Sequence, residues 1–525
     1  MSKNSQKIAE LLSSSFAESK WEQLIHEYSS SKVDPVTSIS GKDFDHQVRK
    51  LSTILQELPV SNQRVVLLLD AGFSFLNTFI SCLYAGITVI PCTIPANKSD
   101  KTRLQRILQD SRCTAMIIQN RDVADLKQSF SNLDIYIYEE LMNQAELCQP
   151  AKGYCNFIND IAIIQYSSGS TNFSKGILVT EKMIIANYEE VAPRWNLSTQ
   201  TKFLSWLPHY HDMGLFGMII YPLLSGSWLM LLSPNEFIKR PSRWLKLISE
   251  FEVNLSGGPP FAYELCTKFC SDSFAQKLDL SCWEVAFCGA DYVPKNVGQM
   301  FVKKFTQSRF TPKSFFACYG LAEVVLFAGG EPAQEQSYLT NESDSGLLPC
   351  YLGEHHPNIA IFDPETNQPS KDGEEGNICI SGDSIAAKYC TSEIETLFYD
   401  KKWLITGDLG FISNHYLTVT GRVKDILKIR GKTIHPIDLA ISANEQFSAL
   451  NYHAFFMRME GEENELTFSI ECWNRQLPED LVIVEENLQS LFSKNFGIFV
   501  KNIEILPRNA LPRTSSGKIR RWAPV

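Results

Sequence analysis

The sequence predicts an α/β protein: a large N-terminal domain of two doubly wound sheets with a small β-rich subdomain, followed by a small α+β C-terminal domain. From Arg64 onward, short aliphatic runs alternate with helix-length segments of mixed polarity. Parallel strands buried on both faces and covered by helices read this way in one dimension. The chain has 525 residues, more than one hydrophobic core accommodates at ~100–200 residues per domain. Hydrophobic residues make up 44% and charged residues 21%, ordinary globular usage that excludes disorder as the main state.

The first sheet takes the runs at 65–69, 87–90, 115–118, 135–138 and 161–165. Between them lie amphipathic segments such as 101–110, where Leu104, Ile107 and Leu108 share one helical face. Runs at 203–207, 228–232, 285–288 and 315–319 continue the pattern as a second sheet. Residues 331–348 turn polar without a period and are expected to form a loop. Beyond them, 359–362, 376–381 and 416–420 alternate like strands of a smaller β-rich unit, about 331–421. A boundary is expected near Gly421-Arg422-Val423-Lys424-Asp425, dividing an N-terminal domain (1–421) from a C-terminal one (422–525) that is large enough for a small α+β unit.

Composition narrows the function classes. The net charge of −10 repels a phosphate backbone, so nucleic acid is not an expected partner. Fourteen cysteines are diluted through the chain without a CxxC pair, which reads as reduced thiols and a cytoplasmic location. The first ten residues are polar and mixed in charge, unlike a secretory signal. Two uncharged stretches, 71–97 and 213–235, are long enough to span a bilayer, but Asn77, Pro91 and Pro95 interrupt the first and Gly214, Gly217, Pro222 and Gly226 the second. Both are expected to be strands and helices of a buried core, with no integral membrane segment.

Five segments carry chemistry. Tyr166-Ser-Ser-Gly-Ser-Thr-Asn-Phe-Ser-Lys175-Gly176 follows an apolar run. Its hydroxyls and backbone N–H groups suit a polyphosphate and its lysine supplies charge, although it is not a Walker A loop and, standing alone, reads more readily as a Ser/Thr/Gly turn linking two strands. Trp206-Leu-Pro-His-Tyr-His211-Asp-Met-Gly214 brings two histidines together without a third metal ligand, so zinc is not expected there. Cys318-Tyr319-Gly320-Leu-Ala-Glu323 offers an aromatic face for a base, a glycine for close approach and a carboxylate for Mg²⁺, or else a core tyrosine with a solvated glutamate. Trp403-Leu-Ile-Thr-Gly-Asp408 ends a run with an acid suited to ribose hydroxyls, or a plain turn aspartate. Pro512-Arg-Thr-Ser-Ser-Gly-Lys518-Ile-Arg-Arg521 places one ammonium after a small-residue turn, or forms a solvated basic tail.

In this order, these segments resemble the adenylate-forming superfamily of acyl-CoA synthetases, peptide-synthetase adenylation domains and luciferases, and most of all its fatty acyl-AMP ligase branch. The resemblance runs from 79–95 to Lys518. It is carried for that branch by 206–214, by 237–244 with 256–263, and by 318–323. It implies an ATP-dependent ligase that activates a carboxylic acid, of fatty type, to acyl-AMP with release of pyrophosphate. The acyl group would then pass to the phosphopantetheine thiol of a carrier protein acting in trans.

The resemblance also implies residue roles. Ser167, Ser168, Gly169, Ser170, Thr171 and Lys175 would hold the β- and γ-phosphates. Gly289, Ala290 and Asp291 with Tyr319 and Gly320 would flank adenine, and Glu323 would bind Mg²⁺. Asp408 would grip the ribose with Arg422 assisting. Lys424 would be the pivot of a mobile C-terminal domain, Lys518 would reach the carboxylate and α-phosphate, and His211 would lie where acyl chain and nucleotide meet. The sequence departs from the family pattern at Ser174, where a proline usually stands, at Glu181-Lys182 in place of Ser-His, and within 431–436. Residues 330–353 are shorter than the region where fatty acyl-AMP ligases carry an insertion associated with refusing coenzyme A. An acyl-CoA ligase therefore stands as the alternative reading, and a silent nucleotide-binding homologue as the second.

Overall fold

The computed structural model describes residues 7–166, 175–332, 346–386, 388–391, 398–399, 402–429, 432–460, 465–513 and 519. Its first sheet runs, edge to edge, Asp134–Ile137, Ala115–Ile118, Arg64–Leu68, Thr88–Pro91, Ile161–Tyr166 and Gly176–Thr180. All neighbours are parallel except the last pair, which is antiparallel. Side chains alternate across a strand, and both faces here are buried. Val65 and Leu67 enter one apolar cluster, whereas Val66 and Leu68 enter another with Leu104, Ile107 and Leu108 of the helix Lys98–Ser111. That helix begins where the Asn97 side chain accepts a hydrogen bond from the Asp100 N–H at 3.0 Å, satisfying one of the donors that a helix start leaves open.

The second sheet has the order Phe315–Ala317, Val285–Cys288, Leu255–Gly258, Lys202–Ser205, Trp228–Leu232, Ile25–Tyr28 and Val36–Ile39. It is parallel up to its last pair. Its last two strands come from a region where the sequence shows no apolar run, because both are four residues long and Val36–Ile39 is half-exposed. The run expected at 315–319 breaks after Ala317, and Tyr319–Gly320 instead pairs with Phe327–Gly329 in a separate ribbon. The uncharged stretch at 213–235 divides into a wide π-type helix over Met213–Ile220, a short helix Tyr221–Leu224 and the strand Trp228–Leu232, all in the core. Among the described residues, no helix is long and apolar enough to cross a membrane. All fourteen cysteines are free thiols.

An antiparallel sheet follows, in the order Cys350–Tyr351, Tyr416–Arg422, Trp403–Ser413, Gly376–Ile380 and Ile359–Phe362, with Phe398–Tyr399 also on Trp403–Ser413. Most of the loop expected over 331–348 lies outside the described residues. Beyond Arg422, a ribbon of Leu427–Ile429 and Lys432–Ile434 leads to helix Pro436–Gln446. A three-stranded sheet of Leu450–Glu460, Glu465–Cys472 and Asn502–Leu506 then packs with helix Leu481–Phe496. The α/β class with its two parallel sheets is thus the one expected.

This last sheet meets helix Pro260–Phe269 through polar groups. Glu264 accepts from the Tyr452 hydroxyl and sits 3.0 Å from His453 Nε2, while the Lys268 ammonium stands 3.3 Å from the centre of the Trp473 ring. Burial lowers the Lys268 pKa to about 8. Replacing Glu264 by Ala leaves the Tyr452 hydroxyl without its acceptor, a loss of about 1–3 kcal/mol. Glu264→Ala is therefore expected to raise the rate of tryptic cleavage at the exposed Arg422 and Lys424 several-fold. An unchanged rate would show that these contacts do not hold the two parts together.

Candidate functional site

The carboxyl ends of parallel strands are where the sheet's backbone stops pairing and loops diverge, so open α/β sheets bind ligands there. Here both sheets open into one cavity of about 300 Å³. Gln165 and Tyr166 come from the end of one strand, Ala317 and Cys318 from another, and Ala290 and Asp291 from just beyond Val285–Cys288.

Asp408 dominates the polar side. The sequence places it at the end of a strand; it lies instead in the middle of Trp403–Ser413. The pairing explains how a mid-strand acid serves a cavity. Ile405 and Leu409 pair with Cys379 and Asn377, leaving more residues on one strand than on the other. Gly407 takes φ +77° inside this bulge, a conformation glycine adopts without steric cost, and such a bulge re-aims its side chains. Asp408 Oδ2 accepts from the Tyr319 hydroxyl at 2.6 Å, and Oδ1 lies 2.8 Å from Arg422 Nε, the residue directly opposite on the neighbouring strand. The Asp408 side chain is only 7% exposed and that of Arg422 50%. Asp408's charge raises the Arg422 pKa further, while burial and the same carboxylate keep the Tyr319 hydroxyl protonated.

Glu323 faces the cavity from a short turn, Ala322–Val324, and is buried deeply enough that its carboxyl is pushed above the usual range, with Asp212 adding to the rise. Val325 follows at φ 71°, a costly conformation for a β-branched residue. Gly320 lies where an added Cβ would come within 1.8 Å of the Leu326 carbonyl oxygen, so the chain closes there only around a glycine. Ala290 also takes a positive φ, 66°, turning the chain at the cavity edge, and Asp291 Oδ1 accepts from the Tyr292 N–H at 2.9 Å.

The apolar side is formed by Met213, Gly217, Leu326 and Phe327, with Trp195 and Phe287 stacked at 5.2 Å. His211 and Asp212 stand at the start of the π-type helix, with Nδ1 and Oδ1 2.5 Å apart, and both line the cavity. His209 points elsewhere: it is buried against Phe75, and burial lowers its pKa to about 4, so it is a neutral core histidine. Among the described residues, no group of three or more His, Cys, Asp or Glu side chains forms a metal site.

Of the residues singled out from sequence, His211, Ala290, Asp291, Tyr319, Gly320, Glu323, Asp408 and Arg422 line this one cavity. Gly289 is one residue away from its wall. Lys175 lies outside the wall, with its ammonium 4.6 Å from the centre of the Tyr389 ring. Lys424 is exposed and does not line the cavity. Ser167, Ser168, Gly169, Ser170, Thr171 and Lys518 lie outside the described residues. Ile519, next to Lys518, does line the cavity. Asp212, Gln165, Asp425 and Tyr389 were not anticipated. Asp212 adjoins a flagged histidine, whereas Tyr389, whose hydroxyl donates to Glu323 Oε1 at 3.2 Å, sits in no recognisable motif.

A family model described as AMP-binding enzyme matches residues 23–390. The medium-chain-fatty-acid–[acyl-carrier-protein] ligase JamA of Moorena producens is 28% identical over 529 aligned positions, which cover 93% of this chain and 89% of that protein. A structure from work on fatty acyl-adenylate ligases of E. coli and L. pneumophila superposes with TM-score 0.83 at 26% identity, covering 98% of this chain and 96% of that one. A fatty acyl-adenylate ligase from L. pneumophila in complex with acyl adenylate and pyrophosphate gives TM-score 0.73 at 29% identity, covering 98% and 94%.

The Tyr319–Asp408 hydrogen bond is testable by itself. Tyr319→Phe is expected to lower stability to urea by about 1–3 kcal/mol, the cost of a buried acceptor losing a donor. Combined with Asp408→Ala the loss should be smaller than the sum, because both changes remove the same bond. Strict additivity would show that the two side chains do not act as a unit.

Proposed function

Because the chain belongs to the AMP-binding enzyme family, we propose that it activates a fatty acid with ATP to acyl-AMP and then passes the acyl group to the phosphopantetheine thiol of a carrier protein. The observation that carries this reading is the single cavity in which the buried Asp408 carboxylate with Arg422, the Tyr319 and 290–291 walls, the Glu323 carboxylate and an apolar flank meet. Nothing in the reaction demands a covalent enzyme intermediate. A carboxylate oxygen attacks the α-phosphorus, the bond to the β-phosphate oxygen breaks and pyrophosphate departs. Catalysis then consists of holding the partners in line and balancing negative charge.

In this reading, Asp408 accepts from the vicinal ribose hydroxyls and Arg422 steadies it. Tyr319, Gly320 and the 289–291 turn enclose the adenine. The 167–171 segment and Lys175 serve the β- and γ-phosphates, and Lys518 the acyl carboxylate and α-phosphate. His211 marks the junction of acyl chain and nucleotide. Met213, Gly217 and Leu326 begin the acyl path, where burial yields ~0.8 kcal/mol per CH₂.

Mg²⁺ held on nucleotide phosphates needs only one or two protein carboxylates, and Glu323 fits: it is buried beside the cavity with its carboxyl destabilised as an anion, which a cation relieves. When bound, Mg²⁺ supplies charge neutralisation at the phosphates. In this reading the two domains divide at 421/422, and Lys424, which is exposed, is the pivot between them. In the second step the thiol sulfur attacks the acyl carbonyl, loses its proton and displaces AMP.

ATP–pyrophosphate exchange dependent on added dodecanoate is the experiment for the first step, and its absence with every carboxylic acid would leave only a nucleotide-binding protein. Adding coenzyme A or a phosphopantetheinylated carrier then reveals the acceptor. Lys518→Ala is expected to slow acyl-AMP formation about 10²–10³-fold, as the loss of one preorganised charge does, while transfer from synthetic acyl-AMP persists. Equal loss of both steps would refute its role.

A further inference from the structure

Resting on the reading above, we propose that Tyr389 is a positioning residue for two charges at the phosphates, its hydroxyl orienting the Glu323 carboxylate and its ring face seating the Lys175 ammonium. The backbone around it is built to connect these two places. The Ala386 N–H donates to the Glu323 carbonyl at 2.8 Å. At the other end the Cys390 N–H donates to the Gly176 carbonyl at 2.8 Å, the Leu178 N–H donates to the Lys388 carbonyl at 3.2 Å, and Tyr389 lies opposite Ile177 in an antiparallel bridge. The strap therefore ties the turn holding Glu323 to the residue that follows Lys175. Gly176 permits the approach: a Cβ there would lie 2.7 Å from Tyr166 Cζ and 2.8 Å from Cys390 Sγ.

Tyr389 is itself 7% exposed, with its hydroxyl 3.2 Å from Glu323 Oε1 and its ring centre 4.6 Å from Lys175 Nζ. A phenol can only donate to a carboxylate, so it occupies one oxygen of Glu323 while favouring the anion that a cation requires. A lysine carries much rotamer freedom, and an aromatic face under its ammonium restricts it before phosphate arrives. The two contacts use different parts of one side chain, so substitutions separate them. Tyr389→Phe keeps the ring and loses the hydroxyl, while Tyr389→Leu loses both.

Binding of α,β-methylene-ATP, measured by calorimetry with Mg²⁺ and with EDTA, tests the proposal, with thermal melting of each variant as the control for folding. Tyr389→Phe is expected to weaken binding about tenfold in Mg²⁺ and to leave binding in EDTA unchanged, the effect of losing a hydrogen bond to a charged group. Tyr389→Leu is expected to weaken binding in EDTA as well, by about three-fold or more. The role is overturned if Tyr389→Phe matches wild type in both conditions, or if it weakens both equally. A wild type whose binding ignores Mg²⁺ overturns the assignment of Glu323, and this role with it; a Mg²⁺-responsive wild type beside an unaffected Tyr389→Phe overturns this role alone.

Discussion

A carboxylate taken out of water is costly unless charge and hydrogen bonds replace its hydration, and Asp408 is such a carboxylate. It resides in the wall of the cavity because Tyr319 and Arg422 each take one of its oxygens. Asp408 and Arg422 face each other on neighbouring strands of the β-rich sheet, whereas Tyr319 belongs to the ribbon beyond the second parallel sheet. Satisfying one buried charge therefore fixes how those two parts meet. The cavity is a consequence of that junction, and a gap between independently placed loops would not hold its polar wall in register.

Most strands of both sheets were legible because burial on two faces forces a continuous aliphatic run, as at 115–118 and 228–232, where expectation and structure coincide; Gly176–Thr180, Ile25–Tyr28 and Leu255–Gly258 were not expected, the last because its buried positions are Leu-Ser-Gly-Gly. The strand Val36–Ile39 was not, since an edge strand that is half-exposed carries no such run. Asp408 was legible as an acid after glycine, but its place in mid-strand was not: a bulge is a difference in count between two strands distant in sequence, and one strand's residues do not reveal it. The same reason hides Tyr389. Its partners, Glu323 and Lys175, lie 66 and 214 positions away (389 − 323 and 389 − 175), and nothing local to 386–390 marks a site. That His211 and Glu323 face one cavity was legible only through the order of the segments along the chain, since each segment by itself has a plain structural reading.

Two carboxylates outside the cavity, one fully buried and one partly so, show how differently a charge is used inside a unit and between units. Glu471 is fully buried in the central strand of the last sheet, accepting from the Leu511 N–H at 2.7 Å and pairing with Arg513. It anchors the chain just before 514–518, and Ile519, packed with Ala454, Phe456 and Leu511, anchors it just after. Glu264 instead faces Tyr452 and His453 across the junction. Apolar faces pulled apart lose their burial energy outright, whereas polar groups regain water as partners, so a junction made of a glutamate, a tyrosine, a histidine and a lysine releases at less cost than an apolar one of the same extent. The last unit is thus tightly determined within itself, and its polar contact with the rest stands beside apolar ones, since Ile437, Ile441 and Met457 share the buried cluster of the large sheets. Under the function proposed above, such a unit would present Lys518 for adenylation and then make room for a thiol.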